Sequence, residues 1–200
     1  MATKLTTTSE ALLGLLSIQP WTTYELAKQV ERSLGWFWPR TERKVYDEAK
    51  KLVAAGLAAA KDEASGGRPR TVYRITAKGR RELARWLGES SAPTKLEAES
   101  LVRVFFADAG GLDDLRRTLD GLGAEAADRL GQLDQFLVES SDPDYPYERR
   151  AHVNALAIRF QMDLYRTIAR WAEWADRQTE EWVDVNDPGV WDWRTALERP

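Results

Sequence analysis

Arg40, Arg43, Lys44, Lys50 and Lys51 lie along one short segment, and Val45, Ala49, Leu52 and Val53 recur within it at spacings of three and four. A helix built from this segment has one apolar face and one basic face. Cations on a rigid helical face suit one kind of chemistry: they neutralise phosphates and meet base edges in a major groove. Arg40 and Arg43 stand at the N-terminal end, from which base edges are read, whereas Lys44 and Lys50 suit phosphates, for which charge alone suffices. The other reading of the same residues is a solvated basic surface. Tyr46 either donates to a phosphate or packs between helices. Further on, Arg68 and Arg70 flank Pro69 in the tip Ser65-Gly66-Gly67-Arg68-Pro69-Arg70. A stiffened arginine pair fits a minor groove or its flanking phosphates, and the alternative is a flexible, solvated loop. Thr22, Thr23 and Tyr24 open another helix. Their hydroxyls and the backbone N–H groups there form either a phosphate site or a simple helix cap. Thr41 and Thr71 complete the expected set of DNA contacts.

Catalytic chemistry finds no comparable support. His152 is the single histidine and there is no cysteine, which excludes a disulfide framework, a thiolate metal site and an imidazole pair. No nucleophile or phosphate-loop motif surrounds His152. Asp142 and Asp144 flank Pro143 and read as turn formers rather than a catalytic pair. The expectation is a protein that is not an enzyme and uses neither metal nor cofactor.

Positioning the cations requires a scaffold. Thr8 or Ser9 caps a first helix whose apolar face is Ala11, Leu12, Leu15, Leu16 and Ile18, ended by Pro20. Thr22 or Thr23 caps a second helix that carries Leu26, Ala27, Val30 and Leu34 and stops at Gly35. Trp36-Phe37-Trp38-Pro39 connects it to the basic helix, which Gly56 closes near Ala55. Leu57 to Lys61 and the alternating Thr71 to Thr76 form the two strands of a hairpin, and a fourth helix starts at Ala77. Three helices, a hairpin and a following helix make a winged helix-turn-helix.

Ser90-Ser91-Ala92-Pro93 then marks a boundary. Beyond it Leu112, Leu115, Leu119, Leu122, Ala126, Leu130, Leu133 and Leu137 step by three or four. Val153, Leu156, Phe160, Leu164, Ile168, Trp171, Ala175, Gln178 and Trp182 do the same. Two long seams joined by a short turn predict an antiparallel helical hairpin. The whole is therefore mainly α with a small two-stranded β wing. Its parts are a DNA-binding winged helix over residues 1–92, a helical dimerisation domain over 93–182, and a tryptophan-containing tail over 183–200. Such a hairpin holds more apolar surface than it covers, which predicts a homodimer. The glycines at 121, 123 and 131 suggest close packing or slight irregularity of that helix.

The 200-residue chain has a net charge of −3, but that sum hides a split. Residues 1–92 hold 16 Lys and Arg against 10 Asp and Glu, a balance of +6; residues 93–200 hold 13 against 22, a balance of −9. Only the first half suits a polyanion. No apolar run reaches the ~20 residues of a membrane span, and the N-terminal segment reads as a helix rather than a signal peptide, so a cytoplasmic place and no membrane partner are expected.

The stretch LTTTSEALLGLLSIQPWTTYELAKQV resembles the PadR family of bacterial transcriptional regulators, as do RKVYDEAKKLVAAGLAAA and GRPRTVYRITAKGRREL. EAESLVRVFFAD and the two long helices resemble the C-terminal dimerisation region of the family's longer members. The resemblance covers about residues 5–182. It departs at Thr23, where the family usually has glycine, and at Ala49 and Lys50 in the third helix. It implies a dimeric regulator, most often a repressor, that binds a palindromic, inverted-repeat DNA duplex and responds to a ligand. Related regulators bind flat hydrophobic or aromatic effectors, for which Trp36, Phe37 and Trp38 would supply a wall; the plainer role for the chain's tryptophans is filling a core or an interface. The alternative function is a winged-helix protein–protein adaptor without DNA binding.

Overall fold

The structure, a computed structural model, describes residues 5–65, 68–142 and 144–196, with the side chains of residues 64, 65, 68 and 69 falling outside that description. The Gly66-Gly67 tip, the Arg68 side chain, Pro143 of the expected turn and the last four residues of the tail lie outside the described residues. The chain divides into two units, Met1–Thr94 and Lys95–Pro200.

In the first unit, helix α1 spans Thr7–Ile18 and buries Leu12, Leu13, Leu15 and Leu16. Its cap is Thr6 rather than Thr8 or Ser9. Thr6 Oγ1 accepts the Ser9 N–H at 3.2 Å and Ser9 Oγ accepts the Thr6 N–H at 3.3 Å. Ser9 thus sits inside the first turn as the reciprocal half of a capping box. Trp21–Thr22 forms a short strand, β1, before helix α2 at Thr23–Gln29, which continues as a π-helical turn over Val30–Leu34. Gly35 ends that turn, and a Cβ there would lie 2.4 Å from the Glu31 carbonyl oxygen.

Helix α3 spans Glu42–Ala54 with Thr41 as its cap. It stops in a Schellman arrangement: Gly56, at φ +70°, donates to Val53 O, and Leu57 donates to Leu52 O, both at 2.9 Å. Strands β2 (Ala58–Ser65) and β3 (Arg68–Ile75) pair antiparallel with Lys61 opposite Val72. The wing expected from the sequence is joined by β1, whose Trp21 and Thr22 pair with Tyr73 and Val72, giving the order β1-β3-β2. Helix α4, Ala77–Leu87, is capped by Thr76. Gly79 lets it approach β2, since a Cβ there would fall 2.1 Å from Leu57 O.

The second unit holds helix α5 (Glu99–Phe105), a 3-10 turn at Ala107–Ala109, and two 29-residue helices, α6 (Leu112–Ser140) and α7 (Ala151–Thr179). These two form the expected antiparallel hairpin. Arg116 Nη2 on α6 donates to Thr179 O at 2.6 Å, tying the start of one helix to the end of the other. On α6 the buried seam is the one read from sequence, with Leu115, Leu119, Leu122, Ala126 and Leu133. On α7 it is not: Gln161, Ala172 and Thr179 are buried, while Val153, Leu156 and Phe160 face solvent. The apolar stripe is real, but α6 packs on its smaller, more polar neighbour stripe. Of the three glycines, only Gly123 has a neighbour within 4 Å of where a Cβ would stand, Ala172 Cβ at 4.0 Å. Trp191 of the tail folds back on α7, its indole N–H reaching Gln178 Oε1 at 2.9 Å and its ring centroid 5.3 Å from that of Trp182. A short helix, α8, at Trp193–Ala196 follows. Among the described residues no helix is long and apolar enough to cross a membrane.

Candidate nucleic-acid interface

Helix α3 sorts its polar residues by where they fall around the axis. Val45, Ala49 and Leu52 point into the core, and Arg43, Asp47 and Lys50 are exposed. Arg43 and Lys50 are two turns apart and only about 20° apart around the helix, so they share one outward face. Tyr46 lies half-buried at its edge. Asp47 stands between the two cations, a hydrogen-bond acceptor that sequence reasoning passed over.

Lys44 and Lys51 fall on the flank and have another task. Their ammonium groups lie 3.1 and 2.8 Å from Oε1 of Glu48, whose side chain is fully buried. Oε2 of Glu48 accepts from Thr6 Oγ1 at 3.1 Å and from the Ser9 hydroxyl. Burial alone would push this carboxyl up. The hydrogen bonds from Lys51, Ser9, Lys44 and Thr6 outweigh it and hold the group down at about 2. Glu48 therefore pins the start of α1 to the middle of α3 and fixes how the outward face is presented. Its sequence signal was a carboxylate at a core position of α3, with lysines four residues before and three residues after it.

Arg40 precedes α3 instead of riding on it. Its guanidinium lies 4.1 Å from the Trp38 ring centroid and donates to Thr8 Oγ1 at 3.2 Å and Pro39 O at 2.6 Å. Thr41 spends its hydroxyl on the Lys44 N–H at 3.3 Å. Trp38 donates to Thr8 Oγ1 at 3.4 Å, Trp36 donates to Arg32 O at 3.1 Å, and Phe37 is exposed.

The N-terminus of α2 is a full capping box. Glu25 N–H reaches Thr22 Oγ1 at 3.2 Å and Thr22 N–H reaches Glu25 Oε2 at 2.8 Å. The Thr22 backbone and side-chain hydrogen bonds, aided by the charge of Arg70, hold Glu25 below the usual carboxylate range. A carboxylate thus already uses part of what a phosphate would meet there. Tyr24 is exposed beside it, Thr23 is half-buried, and Arg70 is exposed on β3. The pairing of Thr22 with Val72 brings the wing and the α2 terminus side by side, while Thr71 Oγ1 donates across the wing to Asp62 Oδ1 at 2.8 Å.

This layout, an outward cationic helix face beside a helix N-terminus and a wing, agrees with what the chain resembles. Residues 12–85 match the transcriptional regulator PadR-like family, and residues 98–180 match the family described as virulence activator alpha, C-terminal. Over residues 12–85 the chain is thus similar to the PadR-like transcriptional regulators. It is 37% identical over 86 residues to the "Probable transcriptional regulator Rv1176c" of Mycobacterium tuberculosis, a match that takes in 42% of this chain and 46% of that protein. The chain thus matches about half the length of that relative. It is 24% identical over 146 residues to the "Negative transcriptional regulator PadR" of Bacillus subtilis, covering 68% of this chain and 80% of that one. The crystal structure of B. subtilis PadR in complex with operator DNA shares the fold, with a TM-score of 0.74 at 19% identity, over 86% of this chain and 98% of that chain. The same regulator in complex with p-coumaric acid gives 0.66 at 19% identity over the same shares. The PadR-like family is one of regulators, not of enzymes.

Proposed function

We propose that this PadR-like regulator is a repressor that binds a palindromic operator as a homodimer and leaves it when a small hydrophobic or aromatic effector binds. The observation that carries the reading is the outward pair Arg43 and Lys50 on a helix whose other side is locked to α1 through Glu48. A rigid cationic face of that kind enters a major groove, Arg43 reading bases and Lys50 meeting a phosphate. Tyr24, Arg70 and the backbone at the start of α2 add contacts to the flanking strand. The operator complex of B. subtilis PadR supports DNA as the partner, and its p-coumaric acid complex supports an aromatic effector. Trp36, Phe37 and Trp38 are the aromatic wall we assign to the effector in the first unit.

The second copy is supported by α7. Val153, Leu156 and Phe160 follow one another at helical spacing and are each more than half exposed, a stripe too apolar for solvent. A regulator of chromosomal DNA works in the cytoplasm. The test is a gel shift on the DNA just upstream of the protein's own gene. The wild type binds and is released at high salt, and Arg43→Ala with Lys50→Ala abolishes the shift. Unchanged affinity in that variant refutes the assignment of α3, and no retention on DNA at low salt favours the adaptor.

A further inference from the structure

Arg43, Asp47 and Lys50 are exposed together on the outward side of α3. Around the axis Asp47 lies about 40° from Arg43 and about 60° from Lys50. Its carboxylate is the odd member of a face suited to meeting an anion. The flanking cations do not neutralise it. Lys44, three residues before Asp47, and Lys51, four residues after it, give their ammonium groups to Glu48 at 3.1 and 2.8 Å. Among the described residues the Asp47 side chain forms no hydrogen bond or ion pair. No contact within the fold accounts for it.

An ionised carboxylate accepts hydrogen bonds and donates none. Phosphates repel it, so it weakens contact with the backbone of every duplex alike. In a major groove the four bases treat it differently. Guanine offers the acceptors N7 and O6, and thymine offers O4 beside a methyl group. Adenine has an amino group at N6, but its N7 acceptor lies beside it. Cytosine presents its N4 amino group with no acceptor next to it, and is the base a carboxylate matches. Arg43 carries the donors that match guanine through O6 and N7. Along the helix axis Asp47 stands about 6 Å from Arg43, close to two base-pair steps of about 3.4 Å.

We propose that Asp47 is a specificity-determining residue of α3. It accepts from the N4 amino group of a cytosine one or two base pairs from the guanine met by Arg43. This role rests on the reading of α3 as the helix that enters the major groove. Asp47 sets part of the sequence preference, while Lys50 and Arg70 supply attraction common to all duplexes.

The full-length wild type, Asp47→Ala and Asp47→Asn are each taken through selection from duplexes with a randomised centre, and the retained sequences are read. Alanine is a better helix former than aspartate, so Asp47→Ala keeps α3, which circular dichroism verifies; Asp47→Asn keeps the shape of the side chain. The wild type retains duplexes with a fixed cytosine near the guanine. Asp47→Ala loses the preference at that base pair and keeps the guanine. Asp47→Asn moves it to adenine, whose N6 and N7 an amide matches. In fluorescence anisotropy at fixed salt, changing that C·G pair to T·A weakens the wild type about tenfold and Asp47→Ala less than about twofold. Unchanged base preferences in Asp47→Ala overturn the assignment. So does a gain in affinity equal on every duplex, the sign of a charge that only repels phosphates. A wild type that retains no sequence above the rest overturns the reading of α3 and this role with it, so the wild type alone tells the two failures apart.

Discussion

Replacing Glu48 with glutamine tests whether a buried charge holds the basic helix α3 in place. Glutamine keeps the shape of the side chain and its capacity to accept from Thr6 and Ser9, but it gives the two lysines nothing to neutralise. The drop from an ordinary 4.5 to about 2 corresponds to about 3 kcal/mol in favour of the ionised form. Lys44 and Lys51 have side chains 44% and 51% exposed, so solvent screens part of that attraction. The expected loss in Glu48→Gln at pH 7 is therefore about 2 kcal/mol. The sign follows from a folded-state value lying below the unfolded one. The stabilisation is complete above pH 4.5 and fades as the pH falls through about 2. Urea denaturation of both proteins, at one fixed protein concentration, reads the difference at pH 7 and pH 3. At pH 3 less than half of the pH 7 difference should remain. An equal difference at both values means the loss comes from packing and not from charge. No difference at pH 7 means the Glu48 cluster does not hold α1 to α3, and the account of how the outward face is fixed fails.

Three other expectations follow from the same packing. Arg43→Ala costs about 1–3 kcal/mol of operator affinity and relaxes specificity at one base position, whereas Lys50→Ala weakens all sequences alike and lowers the salt slope by about 1; fluorescence anisotropy over a salt series separates the two. Gly79→Ala forces a methyl group towards Leu57 O, 2.1 Å from where its Cβ would fall, and costs about 1–3 kcal/mol. Gly14→Ala in α1, where a Cβ meets nothing within 4 Å, is neutral or stabilises by up to about 1 kcal/mol, so thermal melting should lower the Tm of Gly79→Ala and leave that of Gly14→Ala unchanged or raised. Leu156→Glu with Phe160→Glu should convert a dimer to monomers in analytical ultracentrifugation without loss of helix by circular dichroism, and a persisting dimer removes α7 from the interface.

What was legible in the sequence was whatever repeats within a few residues. Val45, Ala49 and Leu52 announce the buried face of α3, the steps from Leu115 to Leu133 announce that of α6, and Gly56 announces the end of α3. What escaped was decided across distance. Thr6, Thr8 and Ser9 are equally good caps in isolation. Glu48, some forty residues on, engages both Thr6 and Ser9, and that fits Thr6 as the cap with Ser9 inside the turn. Arg40, read from the sequence as a cation of α3, stands before that helix, with Trp38 and Thr8 beside its guanidinium. Trp21–Thr22 is too short to show strand alternation, and it becomes a strand only because β3 offers Val72 and Tyr73 as partners.

Helix α7 shows the limit in its sharpest form. A periodic apolar stripe says which face avoids water, but not which element covers it. The sequence of α7 carries two stripes, one turned by about a residue from the other. The stripe with Ala172 lets α6 come close, because Ala172 Cβ lies 4.0 Å from where a Cβ on Gly123 would stand. The bulkier stripe with Leu156 and Phe160 would hold the helices further apart, so packing density favours the smaller residues for the intramolecular contact. The larger apolar surface is what remains, 75% and 58% exposed at those two positions. A hairpin that spends its small residues on itself and keeps its large ones outside is suited to meeting its own copy, since a two-fold partner offers the same stripe in return.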